Sequence, residues 1–156
     1  MNCMAKDVAE SYSYSIRQFL EDLARRLNVS LNKLIDIYFW LSNNVKAREL
    51  NLEDVVNRPT RADIISIVDD GKSIVGIRLR FSSDTRKGQY YYTNVGRYGA
   101  KCTCEGNMIG GRLCKHIIAG LILMNVVNLL KYGSNIDLSQ FTWLNNANGV
   151  DLDSEG

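Results

Sequence analysis

The chain has a single histidine, His116, and a single proline, Pro59, in 156 residues. One imidazole leaves no partner for an acid–base relay. No G-x4-G-K-[ST] stretch is present to cradle a nucleotide phosphate. Long apolar runs are also missing. The longest, Ile117 to Leu130, is interrupted by Asn125 and Asn128 and falls short of the ~20 residues a bilayer requires, so it reads as a buried helix. Met1 to Glu10 lacks the apolar core of a secretory signal. The expectation is therefore an intracellular protein with reduced thiols, neither secreted nor membrane-attached. No internal repeat is seen. The 46% apolar share supports a packed core, and the length suits one domain or two small ones.

Against this background three of the four cysteines and the only histidine fall in one stretch: Cys102-x-Cys104, nine residues, Cys114-x-His116. Residues i and i+2 of a β-strand share a face, so Cys102 and Cys104 are expected to aim both thiols at one point from a single strand. Two residues advance a helix by about 200°, so Cys114 and His116 converge only if Cys114 lies in a turn and His116 at or near the first helical turn. Gly106, Gly110 and Gly111 let the chain double back between the pairs. Three sulfurs and one nitrogen complete the closed tetrahedral shell of a structural zinc and leave no position for water or substrate. These soft ligands favour zinc over magnesium or calcium. One structural Zn2+ is expected, with no catalytic residue and no small-molecule substrate. A disulfide would conflict with reducing conditions, and a coincidence of small core residues would not explain two matched C-x-[CH] pairs. Cys3 is left over and receives no role.

The N-terminal residues 1–61 read as a helical region. Tyr12, Ile16, Phe19, Leu20, Leu23 and Leu27 form one helical stripe, capped by Ser11 or Ser13 and ended by Asn28. Ser30 then caps a second, largely apolar helix through about Val45, and a short third helix covers Leu52 to Val56. Leu20 to Phe39 has the spacing of a helix-turn-helix. Its second helix carries no cation between Lys33 and Lys46, which favours a packed helical pair or a partner interface over DNA reading. Pro59 marks the boundary.

Residues 62–134 change character. Ala62 to Val68 is β-prone, Asp69-Asp70-Gly71-Lys72 is a hairpin turn signal, and Ile74 to Phe81 alternates an apolar face with one carrying Arg78 and Arg80. Gln89 to Val95 reads as a third strand, in which Tyr91 must face away from Tyr90 and Tyr92. Arg97 to Cys104 reads as the strand bearing the first ligand pair, and Cys114 to about Lys131 as the closing helix. Residues 135–156 form a tail in which Phe141, Trp143 and Leu144 make a small apolar cluster, with disorder expected from about 145. The fold class expected is α+β: an N-terminal helical region, a small antiparallel sheet and a C-terminal helix around a structural zinc.

Charge is unevenly distributed. Residues 72–115 carry nine cations (Lys72, Arg78, Arg80, Arg86, Lys87, Arg97, Lys101, Arg112, Lys115) against Asp84 and Glu105, a net of +7 in a chain whose total is only +2. Arginine forks match phosphate oxygens, and neutralised phosphates release counterions. Tyr90 to Tyr92 and Tyr98 can stack on exposed bases if the target is single-stranded, with at least one of the first three expected in the core. Arg78, Arg80, Arg86, Lys87, Arg97, Lys101, Arg112 and Lys115 are therefore the candidate nucleic-acid contacts.

Tyr91-Tyr92-x-x-Val95, Cys102-Thr103-Cys104 and Cys114-Lys115-His116-Ile117 with Ala119 resemble the SWIM zinc finger, over roughly residues 63–131. That resemblance implies a ββα zinc module with Cys102, Cys104, Cys114 and His116 as ligands. It implies DNA or protein binding in chromatin, transposase, ubiquitin-ligase or recombination-mediator settings. The expected function is a nucleic-acid-binding module, on DNA more than RNA. The alternatives are a protein adaptor that uses the apolar N-terminal helices, for example beside a recombinase-like partner, and an RNA- or ribosome-associated protein.

Overall fold

In a computed structural model that describes residues 3–41, 62–83, 85–147 and 149–152, two helices precede an antiparallel sheet and a long central helix. Side chains are described from residue 14 onward, except at 109 and 110. Helix α1 (Cys3–Leu27) begins well before Ser11 and Ser13, so these lie inside it rather than at its cap. Met4, Ala5 and Lys6 are good helix formers and extend the helix past the expected start. Asn28 ends α1 in the left-handed region, at φ 55°. Its amide donates to the Arg25 carbonyl, and Val29 N–H donates to the Ala24 carbonyl, the paired bonds of a Schellman motif. Ser30 Oγ then accepts from Lys33 N–H and caps α2 (Leu31–Leu41). The expected extension to Val45, the helix over 52–56 and the boundary at Pro59 lie outside the described residues.

Ile16, Phe19, Leu20, Leu23 and Leu27 on α1, and Leu34, Ile37, Tyr38 and Leu41 on α2, are all buried. The apolar stripes of both helices join the same core as the sheet. The sheet is a meander of β1 (Ala62–Asp69), β2 (Ile74–Ser82), β3 (Tyr90–Gly96) and β4 (Gly99–Cys102), in that spatial order. Alternation sorts its side chains as expected. Ile77, Leu79, Phe81, Tyr91, Thr93 and Val95 face the core, while Arg78, Tyr90, Tyr92 and Asn94 face outward.

Against the inner face lies the closing helix, here α4 (Lys115–Tyr132); a short α3 (Glu105–Gly110) precedes it. Every residue from His116 to Val126 is buried: the sheet, α1 and α2 pack on the helix, and the chain at 134–136 bonds to it. Gly120 permits the close approach to β3: a Cβ there would stand 2.7 Å from Val95 Cγ2, and a β-branched neighbour has little freedom to move aside.

Two buried asparagines interrupt the apolar surface of α4, and both are satisfied. Asn128 Oδ1 accepts from Ile74 N–H (2.8 Å) and its amide donates to the Ser134 carbonyl (2.7 Å). Asn125 Oδ1 accepts from Ile136 N–H (2.7 Å) and its amide donates to Asn135 Oδ1. The first ties the helix to the start of β2, and the second ties it to the returning C-terminal chain. At the end of α4, hydrogen bonds from Lys131, Tyr132 and the Gly71 amide hold the Asp69 carboxyl down at about 2, fastening the β1–β2 turn to the helix.

In the C-terminal stretch, where disorder is expected from about 145, residues 145–147 and 149–152 are described and the remainder lies outside the described residues. Leu138–Gln140 and Thr142–Asn146 form 3-10 turns, and Val150–Asp151 (β6) pairs in parallel with Leu113–Cys114 (β5). The polar composition concealed sparse anchors: Ile136, Leu138, Phe141 and Leu144 are buried, and Trp143 Nε1 donates to the Gly96 carbonyl.

Asn128→Leu leaves the buried Ile74 amide without its acceptor, which costs about 1–3 kcal/mol. Urea unfolding of the metal-loaded protein is expected to show a loss of that size; unchanged stability would mean that the Asn128 bridge is dispensable.

Candidate metal centre and outer sheet face

Four short steps of chain bring the ligand-type side chains together. Cys102 closes β4 and points inward, opposite Thr93 of β3. Cys104 does not continue that strand: it is the extended residue at the N-terminus of α3 (φ −72°, ψ 159°), so the first pair converges across a strand-to-helix junction. The expectation that one strand carries both thiols is corrected accordingly. Cys114 closes β5 and caps α4, and His116 lies in the first turn of α4, as the spacing required. Gly111, at φ 65°, ends α3 in the left-handed region and turns the chain back toward β5.

The four ligand atoms lie within 4.8 Å of one another and all four residues are buried. Among the described residues this is the Cys/His group that can hold a metal ion. The donor set fits one: three sulfurs and an imidazole nitrogen converge on a single point with room for tetrahedral coordination. Crowded this way, the thiols oppose each other's ionisation. Hydrogen bonds from Cys102 and Cys114 hold Cys104 far below the ordinary thiol value, while Cys102 and Cys104 push Cys114 far above it. Burial depresses His116, but hydrogen bonding to the Cys102 and Cys104 sulfurs outweighs it and raises the imidazole to about 9. A bound cation removes the conflict, since metal binding stabilises every thiolate at once.

The surroundings hold features that sequence reasoning missed. Thr93 Oγ1, fully buried, donates to Cys102 Sγ at 3.3 Å. Asn107 Oδ1 accepts from Cys102 N–H (2.9 Å) while its amide donates to the Arg112 carbonyl (3.1 Å), clamping the two ligand-bearing segments together. The His116 ring packs against Phe81, Tyr91 and Trp40 at centroid distances of 5.0, 5.1 and 5.8 Å. The i, i+2 pairing of Thr93 with Tyr91 on one face was readable; that Thr93 stands opposite Cys102 required the strand register.

The candidate cations divide into three groups. Arg78 and Lys101 are exposed on the outer sheet face, on either side of Asn94 in one cross-strand row. With Arg97 they line an open groove of about 650 Å³ whose floor includes Gly76, Gly96 and Gly99. Arg80 shares that face, bonded to Asp63 (2.7 Å) and with its guanidinium 4.5 Å from the Tyr90 ring centroid. Arg97 meets Asp70 at 3.5 Å. Arg86 and Lys87 are exposed in the β2–β3 connection. Arg112 and Lys115 belong to the metal knuckle: Arg112 donates to the Val150 carbonyl and faces Asp151 at 3.9 Å, and Lys115 Nζ lies 4.5 Å from the Trp40 ring centroid. The structure therefore does not gather all eight on one surface. No helix among the described residues is long and apolar enough to cross a membrane.

No family model, curated protein or solved structure matches the chain.

Metal analysis of the purified protein is expected to give about one equivalent per chain, with chelation exposing the amides of residues 99–116 to exchange. A metal-free sample with those amides protected would remove the site. Thr93→Val is expected to weaken metal affinity roughly 10–100-fold in a chelator competition, because the hydroxyl orients and stabilises a ligand thiolate.

Proposed function

We propose that the chain is a zinc-stapled nucleic-acid-binding module of the SWIM kind, acting on DNA more than RNA within recombination, repair or chromatin transactions. The zinc assignment follows from three thiolates and one imidazole, a soft and closed set typical of structural sites. A closed shell has no exchangeable water, so the module is a binder rather than an enzyme. The DNA setting is carried by the SWIM resemblance of Tyr91-Tyr92-x-x-Val95 and the C-x-C…C-x-H pairs. Reduced ligand thiols suit an intracellular protein.

The observation that supports nucleic acid best is the outer sheet face. Arg78 and Lys101 stand there with no ion-pair partner among the described residues, while the acids Asp63 and Asp70 are engaged by Arg80 and Arg97. An uncompensated basic row beside exposed tyrosines suits a phosphate backbone.

A salt titration tests this reading. Affinity for nucleic acid is expected to fall log-linearly with salt, and the double substitution Arg78→Ala with Lys101→Ala to reduce the slope by about 1–2. Binding weaker than about 10⁻⁴ M to duplex DNA, single-stranded DNA and RNA at physiological salt would defeat the proposal.

A second reading, the protein adaptor, changes its surface. The apolar stripes of α1 and α2 are committed to the core, whereas Ile64, Ile65, Ile67 and Val68 on the edge strand β1 are each at least 40% exposed. Exposed apolar edge strands favour pairing with another chain. Isolating the protein from cells with and without nuclease separates the two readings: a partner that survives nuclease treatment favours the adaptor.

A further inference from the structure

We infer that the outer sheet face is built for a single strand of nucleic acid, with bases stacked on Tyr90 and Tyr92 and the backbone held by Arg78 and Lys101. The inference rests on the nucleic-acid reading above and specifies its substrate class. Tyr90 and Tyr92 are 43% and 41% exposed and sit two residues apart on one face of β3. Large rings left this open on a sheet face are platforms rather than core, which takes Tyr91 instead, at 3% exposure. Both are held in place: Arg80 lies over the Tyr90 ring and is itself fixed by Asp63, and Tyr92 is locked at the backbone by bonds in both directions with Thr103.

Spacing selects the single strand. Side chains two residues apart on a strand are separated by about 7 Å, roughly twice the 3.4 Å rise between stacked bases of a duplex strand. Neighbouring bases can occupy both tyrosines only if they are unstacked and splayed, which excludes a paired helix. A four-stranded sheet face of this size accommodates roughly two or three bases. Alongside the tyrosines runs the row Ser66, Arg78, Asn94, Lys101, which supplies two cations and a neutral amide at the distance of one strand spacing. Beyond it the glycine floor of the groove, Gly76, Gly96 and Gly99, removes the side chains that would keep a backbone off the sheet. Charge complementarity points the same way: among the described residues Asp63 and Asp70 are paired with Arg80 and Arg97, while Arg78 and Lys101 have no ion-pair partner.

Fluorescence anisotropy on the full, metal-loaded chain provides the test. The probes are oligo(dT) and oligo(U) of about 15 nucleotides and a hairpin duplex of similar charge. Single strands are expected to bind at least about tenfold more tightly than the hairpin, with the dT and U arms showing whether the sugar matters. Tyr92→Ala and Tyr90→Ala are each expected to weaken single-strand binding roughly 5- to 150-fold, while Tyr→Phe at either position retains it because stacking needs the ring and not the hydroxyl. An unchanged thermal midpoint in the Phe variants keeps the comparison valid if an Ala variant folds poorly. Equal affinity for hairpin and single strand, or wild-type binding by the Tyr92→Ala protein, overturns the single-strand inference while a salt slope dependent on Arg78 and Lys101 preserves the broader reading. Displacement of the oligonucleotide by polyglutamate at equal charge would also overturn it, assigning the face to an acidic peptide.

Discussion

Three thiols and an imidazole lie within 4.8 Å of one another, all removed from water, in a group that could hold a metal ion. Burial penalises each charge, and each thiolate that forms makes the next harder to form. The opposed displacements of Cys104 and Cys114 express that conflict within one cluster. Much of the local structure follows from it. β4 is only four residues long, α3 six, and β5 two, and none of these can hold its geometry through its own hydrogen bonds. The ligand convergence, reinforced by the Asn107 clamp and the Thr93 hydroxyl, gives these fragments a common fixed point.

From that point outward the fold is organised by α4. A helix buried over eleven consecutive residues has no polar face, so it needs cover from every direction. The sheet supplies one side and α1 and α2 another, while Ser134, Asn135 and Ile136 bond to its asparagines. Gly120 lets β3 come close, and the asparagines give the apolar helix a directional element: Asn128 fixes the start of β2 and Asn125 the returning tail. Apolar packing alone leaves register loosely specified, whereas buried hydrogen bonds tolerate only one arrangement. His116 links this helix to the metal centre, with Phe81, Tyr91 and Trp40 packed around its ring.

Features governed by short, strict periods were legible in the sequence. The alternation in β2, the opposite facing of Tyr91 from Tyr90 and Tyr92, the Asn28 stop and the Ser30 cap, and the turn position of Cys114 before His116 all follow from local stereochemistry. What was not legible depended on distant residues. The i, i+2 spacing placed Cys104 on the strand, but it is the N-terminal residue of the helix that follows, where the Asn107 backbone amide bonds its sulfur. Apolar residues are sparse in the C-terminal stretch, so its sequence gives no sign of what positions the described part: parallel pairing of Val150–Asp151 with Leu113–Cys114, far earlier in the chain, and burial of Leu144 in the core. Ser11 and Ser13 are good caps by type, yet a helix stops where its neighbours cease to favour it, and those at 3–10 do not. The eight cations formed one group by sequence window; cross-strand register and ion pairing separate them into three.

The two halves of the reading, metal and outer face, meet in β4. Cys102 points into the ligand cluster and Lys101, its neighbour, points to the opposite side of the sheet, opposite Asn94 and next to Arg78 across the row. The strand is therefore held from beneath by the buried Cys/His cluster and presents a cation above. Its outer face is not packed against another element among the described residues, so β4 lacks the two-sided burial that stabilises an interior strand. A metal ion held by the cluster would resolve this without covering the face: it would anchor the strand through one side chain on the inner surface and leave the outer row and the glycine floor open. A larger apolar core could hold β4 as firmly only by adding cover or lengthening the strand, and either would change the surface that carries Arg78, Lys101 and the exposed tyrosines.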